Sequence, residues 1–102
     1  VPKAKYTVRL LSAAEQDFNE IIDYVLSENT GAALSIADKI ESNLQFLENS
    51  PLLGRIPNDE ELLRLGYRYL IVFDYLIFYK IEETKIIVYR ILHGARNYKS
   101  LL

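Results

Sequence analysis

The apolar pattern of this 102-residue chain changes period once, and that change limits the fold more than any other feature. Between Ala14 and Leu47 the apolar residues return every three or four positions, the spacing of a helix face. From Tyr67 to Leu92 they are dense in Tyr, Ile, Val and Phe with a period of two, the spacing of strands. Helical segments followed by consecutive strands point to an α+β layer arrangement.

Tyr6 to Leu10 alternates and reads as a short strand. Ser12-Ala13-Ala14-Glu15 has capping-box spacing, so a helix is expected from about Ala13 to Glu28, with Asp17 and Glu20 favoured early by the helix dipole. Its stripe is Ala14, Phe18, Ile21, Ile22, Val25 and Leu26. Asn29-Thr30-Gly31 breaks it, and Thr30 is expected to cap a second helix with the stripe Ala33, Ile36, Ala37, Ile40, Leu44 and Leu47. Ser50-Pro51 stops that helix, because a residue before Pro resists the helical region. So short a turn makes the two helices an antiparallel hairpin.

Residues 51–66 form the longest irregular stretch, with turn makers at Pro51, Gly54 and Pro57. Glu60 to Arg64 has room for one helical turn, and Asp59-Glu60-Glu61 reads as a solvated acidic run. Strands follow at Tyr67–Phe73, Tyr75–Ile81 and Lys85–Leu92, joined by turns short enough to force hairpins. Ile86 to Leu92 is apolar at nearly every position, so that strand is expected to be central and covered on both faces. Ala95 to Leu102 is a tail with at most one helical turn. The expected fold is therefore one domain over residues 1–102: an N-terminal strand, at an edge, and a helical hairpin packed on a mostly antiparallel sheet that a C-terminal three-strand meander completes.

Composition removes whole classes of chemistry. The chain has no Cys and one His, His93, which excludes thiolate chemistry, disulfides and a His-rich metal site. No metal and no cofactor are expected. No apolar run approaches the roughly 20 residues that span a bilayer, and Val1-Pro2-Lys3-Ala4-Lys5 is not followed by the apolar segment of a signal peptide. No membrane partner is expected, and the expected setting is the cytoplasm. The net charge of −2 hides an asymmetry: residues 1–53 carry four basic and eight acidic side chains, residues 54–102 eight basic and six acidic. An anionic partner should meet the C-terminal half.

That half holds the candidate functional set: Arg55, Arg64, Arg68, Arg90, His93, Arg96, Tyr98 and Lys99. Arg68 and Arg90 stand inside apolar strands, where a charge is costly unless paired. Either they pair with acids such as Asp74 or Glu82, or they form an anion-facing patch on the sheet side without helices. His93 is either a strand-end polar group or a proton donor or acceptor. Tyr67, Tyr69, Tyr75, Tyr79 and Tyr89 read as packing residues, whereas Tyr98 either stacks on a partner or stands exposed. No phosphate-binding glycine loop, G-x-S-x-G or H-E-x-x-H occurs.

The ending Tyr89-Arg90-Ile91-Leu92-His93-Gly94-Ala95-Arg96-Asn97-Tyr98 resembles the closing motif of the RelE/ParE toxin superfamily. Pro51 to Arg55 with its Gly54-Arg55, Gly66 to Val72, and Tyr75-Leu76-Ile77-Phe78-Tyr79 are similar to that family in the same order. The resemblance implies the toxin of a type II toxin–antitoxin module, held by a protein antitoxin in a hetero-oligomer. RelE-like members cut mRNA in the ribosomal A site, typically with an Arg in a third-strand Y-R-L-V-Y pattern. ParE-like members poison DNA gyrase. Leu76 stands where the Arg would be, and the His-Gly-Ala-Arg ending looks ParE-like.

The favoured expectation is thus a gyrase-binding toxin with Arg68, Arg96, Tyr98 and Lys99 near the target. The alternative is a ribosome-dependent endoribonuclease acting on mRNA, with Arg68, Arg90, His93, Arg96 and Tyr98 as its site. A member that only binds its antitoxin is the third.

Overall fold

The computed structural model describes residues 5–102; the basic start from Val1 to Ala4 lies outside them. The elements are β1 (Thr7–Leu10), α1 (Ser12–Glu28), α2 (Thr30–Leu47), α3 (Glu60–Arg64), β2 (Arg68–Val72), β3 (Tyr75–Glu82), β4 (Lys85–His93) and a 3-10 turn at Tyr98–Leu101. The strands form one sheet in the order β1-β4-β3-β2. The meander is antiparallel, and β1 joins the edge of β4 in parallel. The α+β arrangement expected from the sequence, with β1 at an edge, is the one observed.

Two cap assignments need correction. Ser12 does not cap α1. Leu11 is the N-cap, without a side-chain bond, because the Leu11 N–H donates to the Val88 carbonyl and turns the chain one residue early. Asn29, not Thr30, caps α2. Its extended backbone lets the side chain accept from the Ala32 N–H at 3.0 Å while its own N–H closes α1 on Val25. One residue thus ends the first helix and starts the second.

The helices cover one face of the sheet. Ala14 and Ile40 pack there on Leu70, Ile77, Tyr79, Ile86, Val88 and Ile91. The opposite face is not open, as the patch reading required. Leu62 of α3 and Tyr67 close over Phe78 and Leu92, with Tyr98 and Leu101 of the tail beside them. Burial on both faces explains why β4 is apolar at nearly every position.

Both hairpin turns place a non-glycine residue in the left-handed region, Phe73 at φ 53° and Glu83 at φ 58°. A register shift between Phe78 and Tyr79 leaves Tyr89 as an extra residue on β4. The loop after α2 is pinned by the Tyr79 hydroxyl, which accepts from the Gly54 N–H and donates to the Pro51 carbonyl, each at 2.8 Å. Backbone bonds between Arg55 and Tyr69 then tie the loop to the outer edge of β2.

Candidate functional site

Two of the candidate residues, His93 and Arg96, meet where β4 ends and the tail begins. His93 closes β4, and the next residue, Gly94, donates its N–H to the Asp74 carbonyl at 2.8 Å, so the tail starts against the β2–β3 turn. Arg96 donates its backbone N–H to the His93 carbonyl at 3.0 Å. His93 and Arg96 line a cleft of about 500 Å³ with Glu20, Tyr24, Asp74 and Tyr75. The Tyr75 ring meets His93 edge-on at 5.6 Å. Burial pushes the Tyr75 hydroxyl above its ordinary pKa, and the neighbouring Asp74 and Tyr24 add to this.

His93 Nδ1 accepts the Ala95 N–H at 3.0 Å. A backbone amide can only donate, so that nitrogen keeps its lone pair in the bond and the neutral ring carries its proton on Nε2.

Tyr98 and Lys99 lie elsewhere, where the tail crosses the outer face of the sheet. Tyr98 packs on Phe78 with ring centres 5.1 Å apart, and Phe78 packs on Tyr69 at 5.8 Å. Tyr98 is therefore half-buried, with one side on Phe78, rather than standing free in solvent. It lines a second cleft of about 320 Å³ with Pro57, Tyr69, Ile71, Leu76 and Gly94. Leu76 contributes an apolar wall there.

Lys99 Nζ lies 3.0 Å from Asp59 Oδ2 and 3.8 Å from Glu61 Oε2. The acidic run is accordingly more than a solvated loop. Asp59 also caps α3, accepting from the Leu62 N–H at 3.0 Å. That amide and then Lys99 hold the Asp59 carboxyl below its ordinary pKa, while the bond to Asp59 raises Lys99.

The strand arginines find other partners than Asp74 or Glu82. Arg68 donates from Nη1 to the Gly54 carbonyl at 3.1 Å, bracing the pinned loop. Arg90 forms a two-pronged pair with Asp17 of α1, Nε to Oδ2 at 2.7 Å and Nη2 to Oδ1 at 2.8 Å. The reason is geometric: β1 stops pairing at Val88, and beyond it α1 presents Asp17 to the outer edge of β4. Glu82 instead accepts from the Tyr89 hydroxyl at 2.9 Å.

The structure thus brings His93 to Arg96 and Tyr98 to Lys99, ties Arg90 to the tail through the Leu101 carbonyl, and sets Arg68 apart at the loop. Asp17 was missed as more than a dipole-favoured acid. A signal was present: Ala14, Asp17 and Ile21 share i, i+3, i+7 spacing, which puts a carboxylate on the apolar stripe. Among the described residues, no group of His, Cys, Asp and Glu is placed to hold a metal ion, and no helix is long and apolar enough to cross a membrane.

Residues 8–98 match the family model of the ParE toxin of type II toxin–antitoxin systems. The chain belongs to the ParE toxin family. A search of curated proteins finds no match. Among solved structures, this ParE-family toxin is similar to a chain of the chromosomal ParDE system from P. aeruginosa, with a TM-score of 0.72 and 17% identity over 89% of this chain and 98% of that one. It is also similar to a chain of the RelBE2 toxin–antitoxin complex from Mycobacterium tuberculosis, with a TM-score of 0.63 and 22% identity over 93% of this chain and 98% of that one. At these identities the two structures speak for the fold. The family match makes this chain the toxin of a type II toxin–antitoxin system.

Proposed function

We propose that this ParE-family toxin arrests growth by binding and poisoning DNA gyrase, and that a cognate antitoxin neutralises it. The carrying observation is how its cations are used. Phosphodiester cleavage by 2′-OH attack builds negative charge that convergent cations must stabilise. Here Arg90 is committed to Asp17 and Arg68 to the Gly54 carbonyl. Leu76 lines the cleft beside Tyr98, and His93 Nδ1 is occupied. A binding toxin needs none of these groups to act as a base or phosphate clamp.

The proposed contact surface is the tail and the adjoining sheet end: Arg96, which is exposed, Tyr98 and Lys99, with Arg68 at the flank. The Lys99 side chain is 48% exposed, and its pair with Asp59 is of the surface kind that another anion can exchange. The test is a supercoiling and cleavage assay with purified gyrase. Antitoxin-reversible inhibition with trapped cleaved DNA is expected, and Arg96→Ala should weaken it.

One observation favours a second reading, ribosome-dependent mRNA cleavage: His93 and Arg96 share a cleft. In that reading Arg68 and Arg96 hold the phosphate, and cleavage that survives the double substitution removes it.

The antitoxin is proposed to be partly disordered and to fold against the helical hairpin. A groove of about 370 Å³ lies between the hairpin and the β2–β3 turn, lined by Val25, Ala32, Ile36, Phe73 and Tyr75. The acidic N-terminal half calls for basic antitoxin residues. Affinity that does not change with salt would remove that charge argument.

A further inference from the structure

We infer that Asp17 is a positioning residue for the tail and acts through Arg90. This rests on the reading that the tail meets the target. Asp17 is only 7% exposed, yet each of its oxygens is bonded. Oδ2 accepts from Arg90 Nε at 2.7 Å and from the Ile91 N–H at 3.0 Å, and Oδ1 accepts from Arg90 Nη2 at 2.8 Å. The Asp17 carboxylate therefore sets the plane of the guanidinium. The remaining nitrogen, Nη1, then points at the tail and donates to the Leu101 carbonyl at 3.2 Å. One side chain of β4 thus joins α1 to the tail.

Other holds on the tail are the Gly94–Asp74 tie, the Tyr98–Phe78 contact, the packing of Leu101 and Leu102 beside Phe78 and Leu92, and the Lys99–Asp59 pair. The ion pair is exposed and weakened by salt. The Arg90 bond lies at the far end of the 3-10 turn from the Gly94 tie, so the two bracket Arg96, Tyr98 and Lys99. Without Asp17, Arg90 keeps its charge but loses its fixed plane, and the bracket opens at that end.

The test compares the full chain with Asp17→Asn and Arg90→Lys. Asn keeps the volume but not the two-pronged acceptor, and Lys keeps the charge but cannot reach Asp17 and Leu101 with a fixed fork. Trypsin cleavage after Lys99 should accelerate about tenfold or more, the change expected from losing a charge-assisted hydrogen bond. The Tyr98 ring resonances, shifted by the Phe78 face, should move toward free-tyrosine values. Growth arrest should fall in step.

Should Asp17→Asn fail to fold, Arg90→Lys carries the test alone. Unchanged cleavage and an unchanged Tyr98 signature in a folded variant overturn the inference. So does an equal acceleration of cleavage throughout the chain, which marks general destabilisation. A released tail with full growth arrest would leave the positioning role standing and overturn the tail as the target surface.

Discussion

Tyr79 holds Gly54 at a distance that leaves no room for a side chain. The ring of Tyr79 is fully buried, and its hydroxyl accepts the Gly54 N–H at 2.8 Å. A β-carbon on residue 54 would lie 2.5 Å from that hydroxyl. The Gly54-Arg55 step is thus set by the third strand, 25 residues later in the chain. Burial raises the Tyr79 hydroxyl pKa, while the Gly54 amide and Arg68 oppose this.

Gly54→Ala should therefore destabilise the fold by about 1–3 kcal/mol, the range for overpacking a filled site. Tyr79→Phe should cost about 1–3 kcal/mol by leaving the Gly54 N–H and the Pro51 carbonyl unpaired. The two changes share one contact, so urea unfolding of the double variant should show less than the sum. A sum that adds fully would mean the loop is held elsewhere.

The Lys99–Asp59 hold on the tail should depend on pH in a defined window. Asp59 is depressed below 3.8, so its contribution is present above that value and is lost as pH falls through the lower folded value. Lys99 is raised above 10.5, so its contribution is present below that value and is lost as pH rises through the higher folded one. Tail protection should therefore be flat between the ordinary values of 3.8 and 10.5 and fall beyond them on either side. Asp59→Asn should remove the acid limb, which following the Tyr98 resonances with pH will show.

Tyr89 should ionise late. Burial first, then the Glu82 hydrogen bond, push its hydroxyl up to about 12. Since the folded value exceeds the ordinary 10.0, the contribution to stability is complete below 10.0 and is lost as pH rises toward 12. Ultraviolet titration of Tyr89→Phe against the parent isolates this transition, and Glu82→Gln should lower it. A Tyr89 that titrates near 10 would contradict the placement.

His93→Ala should leave growth arrest largely intact. Its Nδ1 is spent on the Ala95 amide, and the edge contact with Tyr75 is worth about 0.5–1.5 kcal/mol. A folded variant that no longer arrests growth would move the weight to proton transfer, measured by expression without antitoxin.

The layer architecture was legible because it is written in period: three- and four-residue spacing through α1 and α2, two-residue spacing through the meander. The rest was hidden by distance along the chain. Asp17 and Arg90 are 73 positions apart, so a local reading of Asp17 sees only the helix dipole. Tyr98 carries no sign of Phe78 beneath it, because their contact depends on how the tail turns after Gly94. The caps failed by one residue each, since Leu11 and Asn29 are fixed by bonds to Val88 and Val25 that propensity does not register. The candidate arginines were found by type, but their partners lay on α1 and in the loop.

We propose that this toxin acts by binding gyrase through its tail. The most direct test is a supercoiling and DNA-cleavage assay with purified gyrase, comparing the parent with Arg96→Ala, with and without antitoxin. Inhibition with trapped cleaved DNA is expected, weakened by Arg96→Ala and reversed by the antitoxin. No effect on gyrase from a sample that stops growth would contradict it.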